Sequence, residues 1–460
     1  MMTQFLSSVV RKWVSLPIVC FALCGCFNRP EMKTPMKPSP PSIDPAVAEL
    51  HELIESGSVA DLRTARAKSP LIESPGYSGQ TALLVAISTK DIEKVKLLVE
   101  LGADLEATDD FNDTPLRYAV QHDFPTAVEL LLSHNVDRGY HPKYPLKKIE
   151  AWKFFSDLPL PKEVKGIISE EQWRQQMETM RDLLREHHEN PKVQPVITDV
   201  NSVEVLKLLL NAGDDLSLAP AEIKRKWIGL PEESEFRSIT SDYQRHKNPS
   251  YGKFNPELMN FDFWKDMIRM GVNAYAARRH FGDESSFSVP GAVWCFDRLG
   301  SALVPLPDGR FVQIGGEHED YYDPDFFIYN DVVVHDGKGD FQIYGYPKDT
   351  FPPTDFHSAT LCPDGIYIIG CLGYMDQRQQ GFTPVYRLSL DSWKIEKVET
   401  SGEMPGWIHK HQASYDADQH KIRTSGGELH VVVGDGTTDL IPNADQFELD
   451  LADFRWKKLK

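Results

Sequence analysis

The sequence predicts a multidomain chain of mixed α and β content, a helical solenoid followed by about three antiparallel β-repeats. Three observations carry this. A helical pattern recurs at a period of 33 residues. Short alternating strands recur at a period of about 56. The first 45 residues follow neither pattern.

Composition sets the bounds. The 460 residues include 68 acidic and 50 basic side chains, for a formal net charge of −18. Such a balance argues against a nucleic-acid role, which needs a basic footprint to exchange for counterions. Hydrophobic residues make up 41% of the chain, enough for ordinary cores, and the length predicts roughly two to four domains. Neither the 32 prolines nor the 30 glycines indicate a collagen-like or wholly disordered chain.

Residues 1–25 read as an export signal. Arg11 and Lys12 form a short positive region, and Trp13 to Leu23 supply an apolar run too short to span a bilayer comfortably. The run ends in Leu23-Cys24-Gly25-Cys26, which resembles the lipobox of bacterial lipoproteins. That resemblance implies cleavage before Cys26 and lipidation of Cys26, with a bacterial cell-envelope location. Position 24 is usually Ala or Ser in the family, so Cys24 is a departure and remains the competing acceptor. Cleavage removes Arg11 and Lys12, so the exported chain goes from −18 to −20. Residues 26–45 follow as a Pro-rich tether, with six prolines between 27 and 45. The membrane would be reached through the N-terminal lipid only.

Three cysteines belong to the signal (Cys20, Cys24 and Cys26), leaving Cys295, Cys362 and Cys371. An odd number is not a disulfide framework. Cys362 and Cys371 lie at unequal distances from the turn at Pro363-Asp364-Gly365, so they read as small buried thiols.

The helical repeat is clearest between residues 79 and 137. Thr81-Ala82-Leu83-Leu84 leads to Ala86, Val95, Leu97, Leu98 and Gly102-Ala103-Asp104. Shifted by 33, Thr114-Pro115-Leu116-Arg117 leads to Ala119, Val128, Leu130, Leu131 and Asn135-Val136-Asp137. Thr caps the first helix, Ala permits close approach, and paired Leu fills the shared core. Gly or Asn then ends the second helix in a left-handed turn. The pattern resembles the ankyrin repeat, with TALL and TPLR in place of the family's TPLH start. Weaker copies extend it: Leu50, Leu53, Ile54 and Gly57 before, residues 203–216 and 261–275 after, and a helical stripe over Glu170–His187. The expectation is an ankyrin-like domain over 46–275 with insertions, then a connector over 276–295. Such solenoids offer extended surfaces to protein partners.

From 296 to 460, three blocks align. In each, a small-residue strand start leads to a hairpin turn and then to a strand ending in Gly315-Gly316, Gly370-Cys371 or Gly426-Gly427. A third strand follows, and a fourth strand region carries Trp393 or Trp456 in blocks two and three, with Phe341 in block one. The blocks resemble kelch repeats, which implies about three kelch-like β-propeller blades. Three are too few to close a ring. Two arrangements answer this: a partial propeller capped by the ankyrin-like domain and residues 276–299, or a homodimer completing a six-bladed ring.

The densest polar cluster is Glu317, His318, Glu319, Asp320, Tyr321, Tyr322, Asp323 and Asp325, between the second and third strands of the first block. Its carboxylates could hold a hard cation or meet a partner, although acidic loops are commonly just solvated and this one lacks an EF-hand's ligand alternation. Tyr321, Tyr322, Phe326 and Phe327 are the aromatic contact candidates. His357, His409 and His411 sit at corresponding block starts, so His357 and His411 are axial candidates. No catalytic motif, metal set or cofactor site emerges. The expected role is a lipid-anchored protein-interaction or scaffold protein rather than an enzyme. The alternative is a carbohydrate-binding or metal-dependent enzyme using a pocket near His357 and His411.

Overall fold

The first described helix starts where an aspartate and a proline make a helix start. The Asp44 carboxylate accepts a hydrogen bond from the Ala46 N–H at 2.8 Å, and Pro45 sits at the first helical positions, where a missing donor costs nothing. The computed structural model describes residues 43–64, 71–141, 170–171, 173–175, 177–178, 193–230, 233, 235–284, 292–318, 326–432 and 438–459. Cys26, the signal and nearly all of the tether therefore lie outside the described residues. So do Asp320, Tyr321, Tyr322, Asp323 and Asp325. No helix among the described residues is long and apolar enough to cross a membrane. The chain divides into two compact units, one ending at Ile223 and the other beginning at Lys224.

The first unit is a stack of short helices: α1 (Pro45–Ser56), α2 (Val59–Thr64), α3 (Ala82–Ser88), α4 (Ile92–Glu100), α5 (Pro115–Gln121), α6 (Pro125–Leu132) and α7 (Val203–Asn211). Helices α1, α3 and α5 pack in series, α4 against α6, and α6 against α7. Leu83, Leu84, Ala86, Val95, Leu98, Leu116, Ala119, Val128, Leu131 and Leu209 are at most 1% exposed, so the periodic positions form the core. Gly102, Asn135 and Gly213 all adopt the left-handed conformation after α4, α6 and α7, at φ 84°, 54° and 94°. Thr114 accepts from the Arg117 N–H at 3.2 Å, but the equivalent Thr81 makes no such bond and its hydroxyl is buried without a hydrogen-bond partner. Thr114→Ala is therefore expected to cost about 1 kcal/mol and Thr81→Ala much less, read from urea denaturation of the full chain.

The second unit contains helices that the sequence assigned to the solenoid. After α8 (Ala221–Trp227), inside which the division falls, come α9 (Thr240–His246), α10 (Asp262–Met270) and α11 (Ala274–His280). The expected domain boundary at 275 is thus displaced by some fifty residues. The reason is packing. Phe263, Trp264, Met267 and Ile268 on α10 share one core with Trp294, Phe311, Tyr329, Val333 and Ile343. The rings of Trp264 and Trp294 stack at 4.8 Å. Arg225 closes the end of α10 by donating to the carbonyls of Ile268 and Arg269 at 2.7 and 2.6 Å.

Three antiparallel meanders of four strands follow; the first and third are each extended by a short flanking strand into five-stranded sheets, and Ile408–His409, Glu428–Val432 and Thr438–Pro442 form a separate three-stranded sheet. The first comprises β1 (Ala302–Pro305), β2 (Phe311–Ile314), β3 (Val332–His335) and β4 (Phe341–Gly345). The second comprises β5 (Ser358–Cys362), β6 (Gly365–Ile369), β7 (Val385–Leu388) and β8 (Ile395–Lys397). The third comprises β9 (Gln412–Asp416), β10 (Lys421–Ser425), β11 (Gln446–Asp450) and β12 (Arg455–Lys458). The unit is thus β-rich along the whole expected stretch. Val312, Ile314, Val332, Ile366, Ile368 and Leu388 fill the space between the first two sheets. Tyr367, Ile369, Ile422, Leu449 and Trp456 fill the space between the second and third. The α8–α11 segment covers the remaining face of the first sheet. Cys295, Cys362 and Cys371 are buried and form no disulfide.

Outer edges are closed one by one, as exposed edges must be. Glu257–Leu258 pairs with β4, Ser401–Gly402 pairs with β12, and the Asn255 amide bonds both the N–H and the carbonyl of Ile395 on β8. The outer face of the third sheet is lined with charged side chains. Its cross-strand rows read Ser414–Arg423–Glu448–Lys457 and Asp416–Lys421–Asp450–Arg455. Arg423 pairs with Asp416 at 3.0 Å, and Lys421 with Glu448 at 2.8 Å. That face is built for water.

Candidate functional site

The three strand starts converge on one end of the second unit. Gly300, Phe356 and Lys410 occupy equivalent positions and share left-handed φ values of 63°, 49° and 55°. They form a hydrogen-bonded chain, with the Phe356 N–H donating to the Gly300 carbonyl at 2.7 Å and the Lys410 N–H to the Phe356 carbonyl at 2.8 Å. Glycine is required where each second strand meets the next sheet. A Cβ at Gly315 would lie 2.4 Å from the Thr354 carbonyl oxygen, and one at Gly370 2.3 Å from that of Ile408. The imidazoles of His357 and His411 complete these two contacts. At Gly426 a Cβ would meet nothing within 4 Å.

The structure places His357 and His411 side by side in one buried cluster. His411 bonds Ser358 Oγ at 2.9 Å, and His357 lies 3.3 Å from Thr354 Oγ1. Burial pushes both imidazoles down to about 3, so they are neutral. His409, fully buried, is held down to about 3 by the same cause, so its 3.7 Å approach to Glu428 is not an ion pair.

Glu317 and His318 correct the picture of a solvated loop. Both are buried, because they form a short strand paired with Phe327–Ile328 and bridged to Leu299. Beside them lie Asp355 and Arg378, which sequence reasoning did not single out. Asp355 is buried and accepts from the Gly373 N–H at 2.6 Å. Burial raises its carboxyl, against the pull of the Gly373 and Glu317 hydrogen bonds and the Arg378 charge. Arg378 also donates to the carbonyls of Leu372 and Gly373, both at 3.0 Å. Cys371 is no nucleophile, since burial raises its thiol far above neutrality. Among the described residues no group of three or more His, Cys, Asp or Glu is placed to hold a metal ion.

A second candidate lies in the first unit, in the loops preceding α3 and α5. Tyr77 is 66% exposed and Phe111 38%, on neighbouring loops joined by the Asp110 N–H donating to the Ser78 carbonyl at 2.9 Å. Asp109 locks the second loop. Its carboxylate accepts from the Phe111 and Asp113 N–H groups at 2.8 and 3.0 Å and from the Tyr118 hydroxyl at 2.9 Å. The Gln80 amide ties the first loop to the same hydroxyl at 2.8 Å. Burial, with Asp109 adding to it, pushes the Tyr118 hydroxyl up to about 12, so it remains a donor. A further contact repeats at the 33-residue period: Glu73 accepts from the Asp104 N–H and Glu106 from the Asp137 N–H, at 2.9 and 2.8 Å. The exposed aromatics are therefore carried on rigid loops. Sequence reasoning missed Tyr77 and Phe111 because loop aromatics have no periodicity to mark them.

The family model described as ankyrin repeats (3 copies) matches residues 50–140. Residues 50–140 are ankyrin repeats. Their helix pairs are α1 with α2, α3 with α4, and α5 with α6, and the loops carrying Tyr77 and Phe111 are ankyrin loops. Similar curated proteins include the B-cell lymphoma 3 protein homolog of Mus musculus, 40% identical over 77 residues, or 16% of this chain and 17% of that one. Protein phosphatase 1 regulatory subunit 27 of Mus musculus is 36% identical over 76 residues, again 16% of this chain and 49% of the relative. This chain thus spans less than half the length of either relative, and the likeness is confined to the ankyrin region.

Proposed function

We propose that the chain is a lipid-anchored cell-envelope protein that binds other proteins through its ankyrin repeats and also carries a kelch-like β-unit. The observation carrying the binding role is the pair of exposed aromatics, Tyr77 and Phe111, on loops fixed by Asp109, Gln80 and Tyr118. Aromatics on rigid supports give contact area at little entropic cost. The name of one relative, a regulatory subunit, supports binding over catalysis. The anchor rests on the Leu23-Cys24-Gly25-Cys26 motif. Three four-stranded meanders with glycine at each second-strand end support the kelch-like reading. The charged outer face of the third sheet favours an open arc over two chains closing a ring, since pairing there would desolvate that charge lattice.

Crosslinking pull-down from membranes tests address and surface together. The native chain is expected to sediment with membranes and capture a protein. Cys26→Ala is expected to leave the membrane fraction, and Tyr77→Ser/Phe111→Ser to lose the captured protein without a change in melting temperature. An unaltered membrane fraction for Cys26→Ala would overturn the anchor. Undiminished capture by the double variant would overturn the surface.

A further inference from the structure

Charge is segregated within the ankyrin repeats. The connections 71–80 and 101–114, which carry Tyr77 and Phe111, hold six acidic residues and no Lys, Arg or His. Asp109 is buried in its own loop, and Asp113 pairs with Arg117. Glu73, Asp104, Glu106 and Asp110 remain exposed, and none of them makes an ion pair among the described residues. Three of these carboxylates are also fixed in place. Glu73 and Glu106 accept from the backbone N–H groups of Asp104 and Asp137, and Asp104 accepts from that of Glu106 at 2.9 Å. Each such bond engages one carboxylate oxygen and sets where the charge stands. Asp110 adjoins Phe111 in sequence and Gly79 in space, since a Cβ on Gly79 would lie 2.8 Å from Asp110 Oδ1.

The five Lys and Arg residues between 71 and 141 are all engaged elsewhere. Lys90 and Lys94 donate to the carbonyls of Asp123 and Ile54 at 3.2 and 2.6 Å, and Lys96 pairs with Glu93 at 3.0 Å. Arg117 pairs with Asp199 at 2.7 Å. Arg138 donates to the Ala212 carbonyl at 2.6 Å and pairs with Asp214 at 3.2 Å. The negative charge of the two loops therefore stands uncompensated beside their exposed aromatics.

We propose that the ankyrin loops select a protein segment in which Lys or Arg alternates with apolar residues. This rests on the reading that Tyr77 and Phe111 meet a protein, and adds the chemistry of that protein. Four exposed carboxylates on the loops that carry the aromatics repel acidic partners, anionic lipid and a second copy of a chain of net charge −18. They draw cations. A partner ammonium or guanidinium over the Tyr77 or Phe111 ring gains from the ring and from the carboxylates together. No cation of this chain occupies either ring among the described residues. Apolar contact with the rings supplies affinity, and the surrounding charge supplies selection.

The test is selection of a displayed random-peptide library on the full chain, keeping only peptides that fail to bind Tyr77→Ser/Phe111→Ser, followed by fluorescence anisotropy of the survivors. These peptides are expected to be rich in Lys or Arg and to bind more weakly as salt rises. Glu73→Gln/Glu106→Gln and Asp110→Asn are each expected to weaken them several-fold, and all three changes together about tenfold with a shallower salt dependence. Gln keeps the oxygen that accepts from the backbone, so the pair should melt normally. If it does not, Asp110→Asn decides, because that side chain makes no hydrogen bond among the described residues. Recovery of acidic or uncharged peptides, or binding indifferent to the carboxylate variants, would overturn the inference while leaving the loops a protein contact of other chemistry. Recovery of no peptide that depends on Tyr77 and Phe111 would overturn that reading and the inference with it. Concentration-dependent self-association abolished by Tyr77→Ser/Phe111→Ser would overturn the inference in favour of a second copy.

Discussion

Asp331→Ala is expected to destabilise the second unit by about 3–5 kcal/mol, the loss that follows from leaving a buried charge without its partner. Asp331 and Arg298 are both buried and pair through both guanidinium Nη atoms, one of them at 3.0 Å. Arg298 Nε and Nη1 also donate to the carbonyls of Cys295 and Gly315, at 2.7 and 3.2 Å. The guanidinium lies 3.5 Å from the centre of the Tyr329 ring, and the Trp294 indole N–H donates to Asp331 at 3.0 Å. One carboxylate therefore balances a cation and an indole that both lack access to water. Urea denaturation followed by tryptophan emission measures the loss. Arg298→Met/Asp331→Leu should recover much of it, because removing both charges strands neither. A single-variant loss below about 1 kcal/mol would mean that water reaches the pair.

Acid is expected to unfold the same unit abruptly. Burial pushes His335, His357, His409 and His411 from an ordinary 6.5 down to about 3. Above 6.5 these imidazoles are neutral in both folded and unfolded chains, so their contribution does not vary with pH. Below it the unfolded chain gains protons that the folded chain refuses, and stability falls until the pH reaches about 3. Each group removes about 1.4 kcal/mol per pH unit, so four together remove about 5 kcal/mol over one unit, a large fraction of a domain's stability. Asp355, whose carboxyl burial raises, works in the opposite direction for one proton. Near-ultraviolet circular dichroism should collapse cooperatively between about pH 6 and pH 4.5. His335 offers the sharper check. Its ring nitrogens have no hydrogen-bond partner and it packs against Phe296 and Phe341 at 5.7 and 5.8 Å. His335→Phe should move the acid midpoint downward; an unchanged midpoint would show that this imidazole does not take part.

Much of the fold was legible because repetition was legible. The Thr, Ala, Leu and Gly/Asn positions of α3–α6 recur at 33 residues, and most perform the expected task; the Thr81 hydroxyl makes no cap and Leu130 is only half-buried. Each of the three strand blocks folds as a four-strand meander, with glycine at each second-strand end. The helices from 221 to 280 were misplaced for a physical reason. An amphipathic stripe such as Phe263, Trp264, Met267 and Ile268 declares that it will be buried, not against what. Here the partner is Trp294 with the first sheet.

The candidate sites were only partly legible. His357 and His411 were found because repeat equivalence places them at matching strand starts. Glu317 and His318 were marked by charge density and then misread, since a two-residue strand within an acidic run has no pattern that announces burial. Arg378 and Asp355 come together only through a turn and the next strand start, far apart in sequence. Tyr77 and Phe111 gain meaning only from the hydrogen bonds that fix their loops.

The central claim is that the ankyrin loops carry the protein contact. Its most direct measurement is site-specific photo-crosslinking of the full chain in its native cells, with the photoreactive residue at Tyr77, at Phe111, or at Glu129 on the exposed side of α6. The account predicts one and the same protein adduct from positions 77 and 111, and none from 129. Adducts of equal yield at all three positions, or none at 77 and 111, would contradict it.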